Sequence, residues 1–413
     1  MDWGGSVSEW LNLKASLTQQ LQYTDNMSLS STQPQATFGY FLNPSLQASH
    51  KAESFDINVK AQGNIKFYDN PLWDCQNYTL ALNSQYNTHS SVFKMIGGYG
   101  ISCAYSQQIQ ETGVILPNAQ STNYNLAPSW SWQWTQRSQL SLGATYKNTS
   151  YSGGSSQTRG SPSSTSYTNF DTYTINLGLN YAWDRDLTLN GGLTFMNSQY
   201  MGSNPSTQHS FNPELGGRYF ISQHWSVNLS GGLRWTDVQA NSVGASPALN
   251  TSSISPQGNF NLVYKDSLNT TFSTGYSNTI MPSSIGQTLQ YQSIYGKFLY
   301  QLYPHLSISI NSMALQSLPI SGQSTSSTQS SIYNRETVTN TVAFTWNFAN
   351  DWQLRGSYIY RWQKFQQQAS AESNTVMLSL NYALDEIEDL TTGKYNFFNN
   401  QSAYSGTTEN RGY

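Results

Sequence analysis

Apolar and polar residues alternate in eighteen short stretches of this chain, and a tight turn fills every second gap between the stretches. Stretch 173–183 is representative, because its apolar residues are Tyr173, Ile175, Leu177, Leu179, Tyr181 and Trp183. A period of two indicates a β-strand with one face in apolar and the other in polar surroundings. Short and long connections alternate along the chain, which predicts an all-β, antiparallel, up-and-down barrel of about 18 strands. If the apolar face of the strands points outward, the barrel is a transmembrane barrel.

Composition favours a membrane barrel over the other classes of chain. Only 10% of the 413 residues are charged and 37% are hydrophobic, whereas soluble chains carry about 25% and about 45–50%. Disordered chains lack aromatic residues and carry a high net charge, but here aromatics reach 14% and the net charge is −3. The mean hydropathy is −0.52 and no run of about 18 apolar residues occurs, which argues against membrane-spanning helices.

The pattern of connections predicts three regions and an orientation. The predicted barrel covers residues 10–384, preceded by an N-terminal periplasmic segment 1–9 and followed by a periplasmic or lumenal tail 385–413. Bacterial barrels place short turns in the periplasm and long loops outside the cell. The predicted long extracellular loops are 106–122, 152–167, 237–251 and 316–330. Aromatic residues crowd the short turns, as Trp and Tyr do at membrane–water boundaries.

The start of the chain shows no secretion signal. Residues 1–6 (MDWGGS) have neither a basic region nor an apolar core. Because a protein of the Gram-negative outer membrane must first cross the inner membrane, we expect the sequence to begin either at a mature N-terminus or at a misassigned start.

Parity along the strands predicts which charged residues face the lumen. A charge on the lipid face costs about 2–4 kcal/mol near the midplane, so charged residues should point inward. The predicted pore-lining residues are Lys14, Asp56, Lys60, Lys66, Glu214, Arg218, Arg234, Arg355 and Arg361. Such a lumen is basic on balance and would attract anionic solutes or polymers. The alternative is that each base pairs with a neighbouring acid or tyrosine and only supports the wall.

Two cysteines flank one predicted hairpin. Counting outward from the turn near His89 places Cys75 and Cys103 almost opposite each other on adjacent strands. Cross-strand neighbours lie about 4.5–5.5 Å apart at Cβ, which suits a disulfide. A disulfide is the prediction, and two free thiols are the alternative.

No motif of known chemistry occurs. Four histidines fall at predicted tight turns and His209 falls in a predicted outer loop, without the spacing of metal ligands. Haem-attachment, phosphate-binding and nucleophile-elbow motifs are missing from the sequence. We therefore expect no enzyme, no cofactor, no metal site and no nucleic-acid partner.

Two stretches carry a family resemblance. Residues 13–26 (LKASLTQQLQYTDN), and residues 123–132 (NYNLAPSWSW) followed by Leu140-Ser141-Leu142, resemble the β-barrel porins encoded beside exopolysaccharide and exosortase loci in Gram-negative bacteria. The resemblance implies an outer-membrane barrel of about this strand number, associated with polysaccharide secretion or surface assembly. It supplies no catalytic residues.

These observations predict a channel. Its expected cargo is a hydrophilic solute or polymer, most concretely an exported exopolysaccharide that contacts the basic lumen residues. A general diffusion porin and a structural barrel around a redox or secretion partner are the alternatives. The expected partners are outer-membrane lipid and lipopolysaccharide, an anionic or neutral polysaccharide, and periplasmic secretion components.

Overall fold

The structure is a computed structural model. It describes residues 12–104, 119–153, 167–201, 205–240, 249–266, 269–283, 288–319, 334–365 and 369–384. The predicted segment 1–9, the predicted tail 385–413 and the central parts of the four predicted long loops lie outside the described residues.

Eighteen β-strands make up nearly all of the described chain. They are β1 Asn12–Thr24, β2 Thr37–Lys51, β3 Phe55–Tyr68, β4 Cys75–Asn87, β5 Ser91–Cys103, β6 Gln120–Gln133, β7 Ser138–Ser152, β8 Asn169–Ala182, β9 Leu187–Met201, β10 Ser206–Phe220, β11 Trp225–Ala240, β12 Leu249–Lys265, β13 Thr270–Pro282, β14 Thr288–Tyr303, β15 Leu306–Pro319, β16 Arg335–Ala349, β17 Trp352–Phe365 and β18 Ala371–Leu384. One 3-10 turn, Pro71–Trp73, precedes β4. His209 lies within β10 rather than in a loop, because this strand begins earlier than the sequence pattern indicates.

The sheet closes on itself. Each strand pairs antiparallel with the next strand along the chain, and β1 also pairs with β18, where Leu17 lies opposite Tyr382. Closure satisfies the backbone groups that an open sheet would leave unpaired at its edges. The prediction of an up-and-down barrel of 18 strands is confirmed.

The outer surface of the barrel is apolar. Leu142, Leu177 and Leu193 are register partners on β7, β8 and β9, and 45%, 41% and 42% of their surfaces are exposed. Exposed leucines and aromatics recur in the same way on the other strands. Contiguous apolar surface on this scale is a membrane surface, so this face contacts lipid. Within the described ranges, no helix has the length and apolar character needed to cross a membrane.

One end of the barrel carries the short turns, and side chains close them. We call it the short-turn end and the opposite one the long-loop end. Between β8 and β9, the Oδ1 atom of Asp184 accepts hydrogen bonds from the backbone N–H groups of Asp186 (2.8 Å) and Leu187 (2.7 Å). Thr135 closes the β6–β7 turn, where its Oγ1 atom accepts from the N–H of Ser138 at 2.9 Å. Such bonds are why Asp, Ser and Thr favour turns.

Aromatic rings are stacked beside this end. The ring centroids of Trp225 and Tyr264 lie 4.8 Å apart, and those of Trp352 and Tyr382 lie 4.7 Å apart. All four residues lie close to short turns, at the position where amphipathic rings meet the membrane–water boundary.

Candidate pore lining and mouth

Strand register places charged side chains on the face opposite the lipid. Lys60 on β3 pairs with Gln47 on β2, and Gln47 pairs in turn with Lys14 on β1, so the three residues form one row across three strands. The sequence neighbours of Lys60, which are Val59 and Ala61, belong to the opposite face. Strands are about 4.8 Å apart, so the two lysines of this row are about 10 Å apart on the lumen wall.

The same register test applies to the whole predicted set. All nine predicted pore-lining residues have lumen-facing parity, and they are Lys14, Asp56, Lys60, Lys66, Glu214, Arg218, Arg234, Arg355 and Arg361. Further bases share that face but are missing from the predicted set, namely Lys51, Lys94, Lys147, Lys265, Lys297 and Arg335. Among the described strands, the lumen-facing carboxylates are Asp56 and Glu214. The lumen wall is therefore basic.

Sequence reasoning missed Lys94 and Arg335 for two physical reasons. Lys94 lies on β5, where Ile96 faces the lumen and two glycines follow it, so apolar alternation is weak. Arg335 is the first residue of β16, whereas the sequence pattern starts this strand several residues earlier. Lys147 follows the outward Tyr146, so simple parity would have found it.

Aromatic rings support several of the lumen bases. The Nζ atom of Lys66 lies 5.4 Å from the ring centroid of Phe41, and the Cζ atom of Arg218 lies 4.6 Å from that of Phe220. Lys297 stands 5.8 Å from the ring of Tyr295. A cation over a ring face gains about 0.5–1 kcal/mol at exposed sites. The rings therefore fix the positions of these charges without neutralising them.

The connection between β1 and β2 narrows the long-loop end. Met27 is buried against the lumen-facing rings of Phe41 and Tyr68 together with Trp73. Across the mouth, the Nε2 atom of Gln363 donates to the carbonyl oxygen of Leu29 at 3.0 Å. This segment thus covers the wall from β17 to β3.

Carboxylate bonds anchor the same connection to β18. The two carboxylate oxygens of Asp25 accept from the backbone N–H and from the side-chain amide of Asn374, each at 2.7 Å. Asn26 adds a bond from its side-chain amide to the carbonyl oxygen of Glu372 at 2.8 Å. Bonds to an ionised acceptor are about twice as strong as neutral ones, so the segment is held firmly at the mouth.

A second segment of the chain narrows the lumen at the long-loop end, from the opposite wall. The long-loop ends of β13 and β14, described over residues 279–283 and 288–291, lie against lumen-facing side chains of β9, β10 and β11. We call these two segments the inner hairpin. Its Ile280 carbonyl oxygen accepts from the Nη1 atom of Arg234 at 2.7 Å, and the hydroxyl of Thr288 donates to the side chain of Gln208. Thr288 and Gln208 are fully buried.

The two cysteines lie at the long-loop end. Cys75 begins β4 and Cys103 ends β5, and a disulfide joins them with their Cα atoms 6.0 Å apart. Both are buried, and the backbone N–H of Cys103 also donates to the Oδ1 atom of Asn77 at 2.8 Å. The bond ties together the ends of two strands from which longer connections leave.

The described residues hold no group of three or more His, Cys, Asp or Glu side chains that could bind a metal ion.

A closed barrel with a lipid-facing exterior and a polar, basic interior defines a class: the transmembrane β-barrels of the outer-membrane type. The unliganded ferric citrate transporter FecA superposes with a TM-score of 0.51 at 9% identity, covering 89% of this chain and 78% of that one. OccK5 (OpdH) of Pseudomonas aeruginosa gives 0.44 at 11% identity over 90% and 98% of the chains, and OccAB4 of Acinetobacter baumannii gives 0.46 at 11% over 92% and 99%.

The similarity to FecA shows a shared fold. No protein-family model matches the chain, and no curated protein matches it in sequence.

Proposed function

We propose that this protein is a channel in the Gram-negative outer membrane for anionic hydrophilic solutes. The observation that carries the proposal is the charge of the lumen wall, where eleven of the described strands carry a base with lumen-facing parity and two carry a carboxylate with that parity. In a low-dielectric cylinder such charges focus a positive potential and raise the local concentration of anions. An interior of 18 strands is also wide enough for a water-filled passage, unlike that of an eight-stranded barrel.

The more specific form of the proposal is export of an anionic surface polysaccharide. The resemblance of residues 13–26 and 123–132 to exopolysaccharide-associated porins supports it. Under this proposal, the short-turn end faces the periplasm and secretion components, and the outer wall contacts lipid and lipopolysaccharide. Exposed lumen rings beside bases, such as Phe220 beside Arg218, suit a chain of charged sugars, because rings stack on sugars while bases bind carboxylates.

Ion selectivity tests the proposal directly. In planar bilayers under a potassium chloride gradient, the native channel should give a reversal potential of the anion-selective sign. Changing Lys60→Glu together with Lys297→Glu should move that potential toward the cation-selective sign, because both side chains face the lumen. The matched control is Lys364→Glu, whose side chain has outward parity near the long-loop end and should change the potential little.

The outcomes separate the candidate functions. A cation-selective native channel, or equal shifts in the lumen variant and the control, would contradict the proposal. Block of the current by polygalacturonate but not by neutral dextran would support polysaccharide passage over a general diffusion porin. A complete lack of conductance, also in the presence of phosphate or pyrophosphate, would favour a structural barrel around a partner.

A further inference from the structure

Two neighbouring strands of the barrel wall separate towards the long-loop end. The backbone pairing between β12 and β13 covers residues 258–265 of β12 and does not extend further towards that end. Towards the long-loop end, β12 continues to pair with β11, and β13 continues to pair with β14. Among the described residues, the stretch 249–257 of β12 therefore has a strand partner on one side only.

A proline explains why the two strands separate there. The carbonyl oxygen of Pro256 accepts a hydrogen bond from the side-chain amide of Asn278 on β13, at 2.9 Å. In an antiparallel strand the N and O atoms of one residue point to the same side, so the nitrogen of Pro256 also faces β13. That nitrogen has no hydrogen to donate, and continued register would put Ile280 opposite it. The ladder cannot continue with normal bonding.

A lumen arginine replaces the missing donor. The carbonyl oxygen of Ile280, which Pro256 cannot satisfy, receives the hydrogen bond from Arg234 on β11 instead. Arg234 is the register partner of Ser255, so β13 has crossed the inner face of β12 to reach it. The inner hairpin is thus a second layer inside the wall.

The lumen-wall side of the contact between the two layers is polar. It consists of Gln208, Ser210, Arg234 and Thr236, all buried, and the hairpin side buries Ile280 and Thr288. The Nε2 atom of Gln208, the Nε atom of Arg234 and the hydroxyl of Thr236 find no hydrogen-bond partner among the described residues. Buried polar groups without partners are unfavourable, and these groups regain water if the layers part. Their rehydration offsets part of the cost of exposing Ile280.

We propose that the inner hairpin is a gate, and that an anionic ligand opens it by binding Arg234. This inference rests on the proposed anion channel and names its regulated site. While the hairpin is closed, Arg234 is 8% exposed and bonded to a neutral carbonyl. A phosphate or carboxylate makes a stronger, charge-assisted bond to a guanidinium than a carbonyl does.

This difference in bond strength shifts the population from the closed to the open position of the hairpin. A ligand that reaches Arg234 only when the hairpin has moved binds the open state alone, and it therefore raises the open population. Glu214, on the same lumen face one strand away, interacts electrostatically with Arg234 in the closed state.

Cross-linking tests whether the hairpin moves. The double variant Gln208→Cys/Thr288→Cys, treated with a short reversible bis-methanethiosulfonate, joins the two layers. With pyrophosphate present, we expect its open probability to fall severalfold on cross-linking and to recover with reductant. Native protein given the same reagent and reductant is the control, because the reductant also reaches Cys75–Cys103. A locked channel that conducts like the reduced one would overturn the gate.

Ligand response tests the role of Arg234. Pyrophosphate should raise the open probability of the native channel severalfold, and Arg234→Met should open without pyrophosphate and ignore it. Arg234→Lys, which keeps the charge, should retain part of the response. A full pyrophosphate response in Arg234→Met would refute the site. The same recordings report reversal potential: an anion-selective channel without gating removes only this inference, whereas a cation-selective one removes the proposed function.

Discussion

Leu177→Arg is expected to lower the free energy of unfolding by about 2–4 kcal/mol, the cost of a guanidinium on the lipid face near the membrane midplane. Leu177 lies within β8 between two outward leucine partners, and 41% of its surface is exposed. In water an arginine at such an exposed position would cost almost nothing. The size of the loss therefore reports the solvent on that face. Equilibrium denaturation in phospholipid vesicles, followed by tryptophan fluorescence, measures it.

The adjacent residue supplies the matched control. Asn176 faces the lumen and is exposed there, and it accepts a hydrogen bond from the hydroxyl of Thr194 at 2.9 Å. Asn176→Arg should cost about 1 kcal/mol, the value of that one bond, because its guanidinium reaches water. If the two variants lose equal stability, or if Asn176→Arg loses more, the assignment of lipid and lumen faces is wrong.

The fold could be predicted because its determinants are local and repeated. Each strand shows its own period of two, and each short turn has its own closing side chain, such as Asp184. Closure follows from topology, since an even number of meandering strands in lipid must join its first and last members. Errors were confined to strand ends such as that of β10, because the pattern fades where both faces become polar.

The lumen wall could be predicted only in part. Parity assigned Lys60 and Arg234 to the polar face of their strands, because charge and alternation agree there. It gave no sign of Lys94, whose strand carries the inward Ile96, or of the inner hairpin. The hairpin depends on the relation between Pro256 on one strand and an arginine on another. A single sequence records that relation as two unconnected residues.

The disulfide between Cys75 and Cys103 agrees with the position predicted by counting residues outward from the turn near His89. The bond closes a segment with a sequence separation of 28. A cross-link of that span removes entropy from the unfolded chain equivalent to about 3–4 kcal/mol. The native hairpin keeps its ladder without the bond, and the N–H of Cys103 keeps its partner Asn77. The loss should therefore appear in stability and leave the fold intact.

The variant Cys75→Ser/Cys103→Ser is expected to unfold about 3–4 kcal/mol more easily than oxidised native protein in the same vesicle titration. Each single serine variant should lose as much as the double variant, because either change already breaks the cross-link. Native protein under reductant is the control that keeps both sulfur atoms in place, and it should match the variants. Unchanged stability on reduction would mean that the bond does not restrain the unfolded chain. Equal and additive losses from the two single variants would instead assign the effect to local packing at the ends of β4 and β5.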